Sequence, residues 1–185
     1  NPINPYGKSK LMVEQILEDF DKAYGLRYLT FRYFNAAGHD MDGELSERHD
    51  PETHLLPLVM QTARGDRKDI SVFGTDYNTK DGTCVRDYIH VDDLCTVHLS
   101  GLDMLLDTLG KMCSDNYNLG NGNGFSVKEV IEKVKELTDK DFTVINAARR
   151  SGDPEVLIAS NKKAYQVFNF IPRKSNIENI IKSLI

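Results

Sequence analysis

The feature that most constrains the fold is an apolar run at residues 26–34, LRYLTFRYF, which follows directly on a helical pattern. The run is rich in Leu, Tyr, Thr and Phe and lacks a clean alternation of apolar and polar residues. That composition is typical of a strand buried on both faces in a parallel sheet. Before it, Asn4 and Pro5 form a favoured helix start and Gly25 a favoured helix end. The sequence therefore predicts a helix over residues 5–24 that leads into a buried strand.

The rest of the chain alternates between the same two patterns. Further strands are predicted at residues 70–73, 84–90, 116–119 and 142–145, and further helices at 54–64, at 92–109 and after the capping boxes Ser126-x-x-Glu129 and Ser175-x-x-Glu178. Residues 35–52 are polar and contain two glycines, which indicates a long loop. Helices that alternate with strands predict an α/β fold with a parallel sheet.

Composition excludes several classes of protein. The 185 residues carry a formal net charge of −5, which argues against a partner that is a nucleic acid or an anionic membrane. No apolar run is long enough to span a bilayer, and the first residues do not resemble a signal peptide. Cys84, Cys95 and Cys113 are odd in number and show no CxxC spacing, so we expect reduced thiols in a cytoplasmic protein. The five histidines show no ligand spacing, and no metal site is predicted.

Tyr6 and Lys10 stand four residues apart and therefore share one face of the first helix. A free tyrosine titrates near pH ~10, which is too high for a general base at neutral pH. A neighbouring ammonium and the positive end of a helix both favour the tyrosinate, which could take a proton from a sugar hydroxyl. On this pattern alone, a solvated lysine beside a core tyrosine remains an open alternative.

Five segments together resemble a known family. They are NPYGKSK at 4–10, RYFNAAG at 32–38, THLLP at 53–57, the run at 76–91 that ends in VRDYIHV, and ARRSGD at 148–153. In this order they resemble the UDP-glucose 4-epimerase (UDP-galactose 4-epimerase) family of the extended short-chain dehydrogenases/reductases, over essentially the whole chain. The run that ends in VRDYIHV is the most specific of the five.

The resemblance implies an NAD-dependent isomerase of carbohydrate metabolism, specifically galactose metabolism. Such an enzyme would interconvert UDP-glucose and UDP-galactose by transient oxidation at C4 of the sugar, with NAD held as a bound cofactor. Tyr6 would take the 4-hydroxyl proton, and Lys10 would bond the nicotinamide ribose and polarise Tyr6. Phe34 would lie against the nicotinamide end. Tyr6 and Lys10 are thus both catalytic and cofactor-binding residues in this prediction.

The resemblance also implies polar contacts to the substrate. Arg86 and Arg150 sit at the family's diphosphate-binding positions, and arginine forks match phosphate oxygens. Asp153 would accept a hydrogen bond from a ribose hydroxyl. Asn35 would bond the sugar or the phosphate.

Four further positions complete the predicted substrate site. Leu55 and Phe73 would flank the uridine. His54 stands where some relatives carry a substrate-binding Asn, and its imidazole can donate to phosphate. Leu157 stands where relatives carry either a bulky Tyr or a small residue near C2 of the sugar, which leaves acceptance of N-acetylated sugars open.

The resemblance implies the C-terminal portion of a Rossmann-type doubly wound parallel sheet, with a smaller α/β substrate-binding domain. Residues 1–38 and about 87–120 would belong to the dinucleotide-binding domain, whose N-terminal half with its G-x-x-G-x-x-G turn would be absent. The UDP-sugar domain would consist of residues 39–86, with approximate bounds, and of residues 121–185. We expect the 185 residues alone to be inactive and the intact enzyme to be a homodimer in the cytoplasm.

Three alternatives stay open. The chain could belong to another UDP-sugar C4-epimerase, acting on N-acetylhexosamine or uronic-acid substrates, or it could be a non-catalytic fragment that binds UDP or a partner protein. Gly120, Gly122 and Gly124 lie between a predicted strand and a predicted helix, so they could form a phosphate loop. Phe125 stands where the third glycine of that fingerprint belongs, which favours a plain turn.

Overall fold

The computed structural model describes residues 2–107 and 114–185. The helices are α1 (Pro5–Tyr24), α2 (Leu55–Arg64), α3 (Val91–Leu106), α4 (Val127–Thr138), α5 (Lys162–Phe168) and α6 (Ile177–Leu184). The strands are β1 (Leu29–Tyr33), β2 (Asn35–Ala37), β3 (Asp69–Phe73), β4 (Val85–His90), β5 (Asp115–Leu119), β6 (Gly124–Ser126), β7 (Thr143–Ala147) and β8 (Val156–Leu157).

Most of the strand pairs are parallel. β1 pairs with β5, β2 with β4, and β3 with β7, each in parallel. β4 also pairs in parallel with β8 and antiparallel with β6, so it is the strand on which the central sheet is built. Parallel strands need a crossover between them, and helices supply several of these connections. The α/β fold with parallel sheet is confirmed.

The first strand differs from its prediction. It covers Leu29–Tyr33 rather than residues 26–34, and it is only half-buried, with Tyr33 52% exposed. Within the described part of the chain β1 pairs along one edge only, with β5, so its second edge and part of one face stay open. The prediction of a strand buried on both faces is therefore wrong for this structure, because an apolar composition reports what a strand can bury and not what covers it.

Two clusters of buried side chains form the core. The larger one joins α2, α4 and α6 to β3 and β4, and its fully buried members include Val59, Ile131 and Ile180. The smaller one joins β4, α3 and β5 and is centred on Ile89 and Leu119. β4 serves both clusters because Ile89 and its neighbour Tyr88 point to opposite faces of the strand. The division into two domains stays a prediction.

Helix α1 begins and ends where the sequence predicts. The Asn4 side chain accepts a hydrogen bond from the backbone N–H of Gly7, and Gly25 ends the helix in the left-handed conformation at φ 69°. None of the residues of α1 is buried. A two-pronged ion pair from Arg32 on β1 to Glu14 ties the helix to the sheet. The apolar stripe of α1 therefore remains exposed.

Only one of the two predicted capping boxes is present. Before α4, the Ser126 hydroxyl accepts from the Glu129 amide at 3.0 Å while the Glu129 carboxylate accepts from the Ser126 amide at 2.9 Å. Before α6, Asn176 is the cap, and its side chain accepts from the Asn179 amide at 2.7 Å. The predicted box at Ser175 is wrong because that hydroxyl is buried and donates instead to the Asp93 carboxylate.

Replacing Ser126 with Ala should lower the free energy of unfolding by about 1–2 kcal/mol, because the change removes the cap of α4 and a hydrogen bond to Asp81. Urea unfolding followed by circular dichroism measures this change. Ser100→Ala, in the middle of α3 where the hydroxyl only bonds back to the Thr96 carbonyl, is the matched control and should cost less than about 0.5 kcal/mol. Equal losses for the two variants would contradict a capping role.

The other boundaries show which segments the patterns failed to identify. The predicted loop at 35–52 begins with β2, and neither the three-residue β6, the two-residue β8 nor helix α5 is predicted. Helix α3 is described as far as Leu106, so the end of the predicted helix at 108–109 lies outside the described residues, as does Cys113. Within residues 2–107 and 114–185, none of the helices is both long and apolar enough to cross a bilayer.

Candidate active site

One cleft gathers most of the side chains predicted to bind substrate. It has a volume of about 340 Å³ and lies between the start of α2, the ends of β2 and β3, strand β4 and the loop after β7. A cavity of this size suits a small ligand such as a nucleotide. The predicted residues that line it are Asn35, His54, Leu55, Phe73, Arg86, Arg150 and Asp153.

Strand β4 forms the wall of the cleft by simple alternation. Successive side chains of a strand point to opposite faces, so Arg86 and Tyr88 face the cleft while Asp87 between them points into the protein. β2 pairs with β4 so that Asn35 stands opposite Tyr88. The Asn35 side chain donates to the Asp87 carbonyl at 2.7 Å, which fixes its amide at the cleft wall.

The most distinctive pair in the cleft is Arg150 and Phe73. The guanidinium carbon of Arg150 lies 3.8 Å from the centroid of the Phe73 ring, a cation–π contact. Among the described residues, no acidic side chain pairs with this guanidinium. Stacking fixes the plane of the fork, and its N–H groups remain available to an anion in the cleft.

The preceding residue has a different role. The Arg149 side chain donates to Asp76 at 2.7 Å and stacks on Tyr77, with 4.1 Å between its guanidinium carbon and the ring centroid. Arg149 does not line the cleft. Of two adjacent arginines, one thus holds the loop of residues 74–82 and the other faces the cleft.

Arg86 also lines the cleft and is largely buried, with 15% of its side chain exposed. It donates to the carbonyl oxygens of Val85 and Pro154 at 2.9 and 2.8 Å, and it lies 3.6 Å from the Asp153 carboxylate. These contacts hold both charged groups at the cleft wall. The positive charge of Arg86 is therefore fixed in place and partly balanced by Asp153.

Tyr88 lines the cleft, although it was not among the predicted site residues. Burial raises its pKa well above the usual value for tyrosine, so its hydroxyl stays protonated at any physiological pH. The signal was present in the sequence, because Tyr88 stands two residues after Arg86 in a predicted strand. Further lining residues that were not among the predicted site residues are Thr53, Arg67, Ser71, Cys84 and Val127.

Two predicted residues lie beside the cleft and not in its wall. Leu157 belongs to β8, where it pairs in register with Arg86, and it is half exposed. Phe34 joins β1 to β2 and is half-buried, with its amide bonded to the Leu119 carbonyl. Because these two side chains do not line the described cleft, their predicted contacts to the sugar and to the nicotinamide stay predictions.

Tyr6 and Lys10 are close to each other and far from the core. The Lys10 ammonium nitrogen lies 5.2 Å from the centroid of the Tyr6 ring, and the tyrosine is 72% exposed. In the part of the chain that the structure describes, Lys10 has no acidic partner. The predicted pairing on one helix face is present, but neither side chain lines the cleft around Arg150.

The glycine-rich turn at 120–124 is not a phosphate loop. The Asp87 carboxylate accepts the backbone N–H groups of Asn121 and Gly122 at 2.8 and 2.9 Å. A Cβ on Gly120 would come within 2.6 Å of an Asp87 carboxylate oxygen, so this position requires glycine. The amides that a phosphate would need are already bound to an anion of the protein itself.

Comparison with known proteins identifies the family of the chain. Residues 1–120 match the NAD dependent epimerase/dehydratase family. The chain is 49% identical, over 182 residues, to the UDP-glucose 4-epimerase of Streptococcus mutans, a match that covers 98% of this chain and 54% of that protein.

Two solved structures superpose closely on the fold. The UDP-glucose 4-epimerase of Brucella ovis in complex with NAD has a TM-score of 0.92 at 45% identity, with coverage of 99% of this chain and 55% of that one. The enzyme of Bifidobacterium longum in complex with NAD+ and UDP has a TM-score of 0.88 at 37% identity, with coverage of 98% and 53%. The present chain thus spans about half the length of the relatives that it matches. It belongs to the NAD dependent epimerase/dehydratase family.

Proposed function

We propose that this chain forms the UDP-sugar-binding and proton-transferring part of an NAD-dependent UDP-glucose 4-epimerase, which interconverts UDP-glucose and UDP-galactose. The observation that carries the proposal is the cleft that is lined both by Arg150, stacked on Phe73, and by the Arg86–Asp153 ion pair. Family likeness supports the same reaction, because similar proteins about twice as long as this chain are UDP-glucose 4-epimerases.

The diphosphate is the part of the substrate that the cleft suits best. Arg150 offers unpaired N–H donors, and Arg86 contributes a second, fixed positive charge at the same cleft. Arginine forks bind phosphate oxygens in pairs of hydrogen bonds, and such charge-assisted bonds are roughly twice as strong as neutral ones. We infer that the diphosphate lies between the two guanidinium groups.

The nucleoside is assigned to the apolar end of the cleft. Leu55 and Phe73 provide apolar surface on which a uracil ring can pack, and Asp153 provides an acceptor for a ribose hydroxyl. Asn35 and His54 lie where they can reach a phosphate or a sugar hydroxyl. Leu157, next to Arg86 in the sheet, remains our candidate for the contact that sets which sugar is accepted.

Proton transfer is assigned to Tyr6. Its phenol is exposed at the start of α1, and the Lys10 ammonium nitrogen lies 5.2 Å from the centroid of its ring. The phenolate would take the proton of the sugar 4-hydroxyl and return it after the sugar has turned over. Lys10 would keep that phenolate oriented.

The residues of this chain are suited to bind the nicotinamide end of a dinucleotide. Lys10 has a free ammonium and Tyr6 a free phenol, both suited to the hydroxyl groups of a nicotinamide ribose, and Phe34 offers a ring to the nicotinamide. Acceptance and return of a hydride at C4 of the sugar is the chemistry that bound NAD supplies. Among the described residues, the one glycine-rich turn between a strand and a helix is filled by Asp87. We therefore expect the 185 residues alone to bind UDP but not to turn over substrate.

UDP binding tests the cleft directly. Replacing Arg150 with Ala should weaken UDP binding by about 10- to 100-fold in isothermal titration calorimetry, because one set of charge-assisted hydrogen bonds is lost. Arg149→Ala is the matched control: it removes the same charge from the adjacent position, which faces Asp76, and should leave the affinity unchanged. An equal loss in both variants would mean that only net charge matters, which would contradict the assignment.

The proposal extends to assembly and location. The exposed apolar stripe of α1, which includes Val13, Phe20 and Tyr24, is the surface through which we propose that the intact enzyme forms a homodimer. Cys84 and Cys95 are free thiols, which suits the reducing cytoplasm.

Turnover of UDP-glucose compared with that of UDP-N-acetylglucosamine and UDP-glucuronic acid would decide between the proposed substrate and the alternatives.

A further inference from the structure

Four side chains of the loop before α2 converge on one point, although their sequence spacing shows no metal-ligand motif. The Nδ1 atoms of His49 and His54 lie 3.2 Å apart. A carboxylate oxygen of Glu47 lies 3.1 Å from the first nitrogen and 3.5 Å from the second. A carboxylate oxygen of Glu52 lies 2.9 Å from His54 Nδ1 and 3.8 Å from His49 Nδ1. Two imidazole nitrogens and two carboxylates thus face one another.

The spacing of these atoms matches a tetrahedral metal site. Zinc bonds to imidazole nitrogen and carboxylate oxygen of about 2.0–2.1 Å place neighbouring ligand atoms roughly 3.3–3.4 Å apart in a tetrahedron. The three separations among Glu47, His49 and His54 are 3.1, 3.2 and 3.5 Å.

The charge of the cluster suits a divalent cation. Glu52 is 7% exposed at its side chain and accepts backbone N–H groups from Thr53 and His54 at 2.7 and 2.8 Å. These two hydrogen bonds hold the Glu52 carboxylate inside the loop next to His54.

The surroundings leave room for an ion and its water. Glu47, His49 and Glu52 line a cavity of about 320 Å³, and His54 lines the cleft on the other side. Two arginines, Arg48 and Arg64, also line this cavity, and Arg64 is 3.2 Å from the Asp66 carboxylate that balances it. The ligand atoms are thus reachable from solvent.

We propose that Glu47, His49 and His54 bind a zinc ion, with Glu52 or water completing the tetrahedron. Nitrogen and oxygen donors at tetrahedral spacing favour zinc over magnesium or calcium, which prefer six or more oxygen ligands at wider spacing. The site does not depend on the proposed epimerase activity.

Titration of the metal-free 185-residue chain with zinc chloride, followed by calorimetry, tests the site. One zinc ion should bind per chain, and the cobalt(II) form should show the intense visible absorption of tetrahedral cobalt. His49→Ala should weaken zinc binding by about 100-fold or more, beyond what loss of an outer-shell partner costs. Glu52→Gln should weaken it by roughly 10-fold.

His39→Ala is the matched control, because His39 lines the same cavity but lies outside the cluster, and it should bind zinc like the parent chain. Circular dichroism checks that each variant is folded, and His49→Gln serves if His49→Ala is not. Absence of one-to-one binding, an octahedral cobalt spectrum, or equal affinity in the His49 and His39 variants would overturn the proposal.

Discussion

Replacing Tyr6 with Phe should lower epimerase turnover by about 10²- to 10⁴-fold, the range over which a positioned proton-transfer group contributes to catalysis. The affinity for UDP should not change, because UDP binding is assigned to Arg86, Arg150 and Asp153, which lie in a cleft that Tyr6 does not line. A loss of turnover without a loss of binding is the signature of a group that acts in the transition state.

The measurement requires an active enzyme. It can be made on a chimera in which this chain is joined to the portion of the Streptococcus mutans relative that it does not match. Tyr24→Phe is the matched control: it removes a phenol from the same stripe at the opposite end of α1, where the ring is 78% exposed, and should leave turnover unchanged. If Tyr6→Phe weakened UDP binding and kept the rate, the role assigned to Tyr6 would be wrong.

Replacing Asp87 with Ala should lower the free energy of unfolding by roughly 3–5 kcal/mol. The Asp87 carboxylate is fully buried and accepts three backbone N–H groups, from Asn121, Gly122 and Ala159, at 2.8, 2.9 and 3.1 Å. Alanine leaves these three amides without their acceptor. The turn after β5 and the segment after β8 are both held to β4 by this one side chain.

Urea unfolding of the folded chain measures the loss. Asp87→Asn keeps one acceptor oxygen and should cost less than Asp87→Ala. Asp76→Ala is the matched control at an exposed carboxylate, whose ion pair with Arg149 should contribute far less than the buried Asp87 carboxylate. If Asp87→Ala were no more costly than Asp76→Ala, the carboxylate would not be the group that holds these segments together.

Local rules predicted the elements that depend on local interactions. Helix α1 has its cap at Asn4 and its end at Gly25, and α4 has its capping box at Ser126, because those contacts form within four residues of chain. The capping box at Ser175 failed for a tertiary reason. The buried Asp93 carboxylate, more than eighty residues away, takes the Ser175 hydroxyl, and the next residue caps α6 instead.

The short strands were not predicted because they form only by pairing with a strand elsewhere in the chain. β6 and β8 contain three and two residues, too few to show a period, and each exists because it pairs with β4. The cluster of histidine and glutamate side chains in the loop of residues 47–54 was not predicted for a similar reason. Its two histidines are separated by four residues of irregular backbone, and only the folded loop brings their nitrogens together.

The cleft was predicted almost completely, but through resemblance to a family and not through composition. Seven of the eight residues predicted to bind substrate line the cleft. The first and the last of these seven are more than one hundred residues apart in the sequence. Geometry adds what motifs do not show. Of two adjacent arginines, Arg150 faces the cleft over Phe73 whereas Arg149 is turned toward Asp76 and Tyr77.

A crystal structure of the chain with UDP tests most directly whether this cleft is the nucleotide site. We predict that the diphosphate lies within hydrogen-bond distance of both the Arg150 and the Arg86 guanidinium groups, with the uracil ring against Leu55 and Phe73. UDP bound anywhere else, or a diphosphate that contacts neither arginine, would contradict the proposed function.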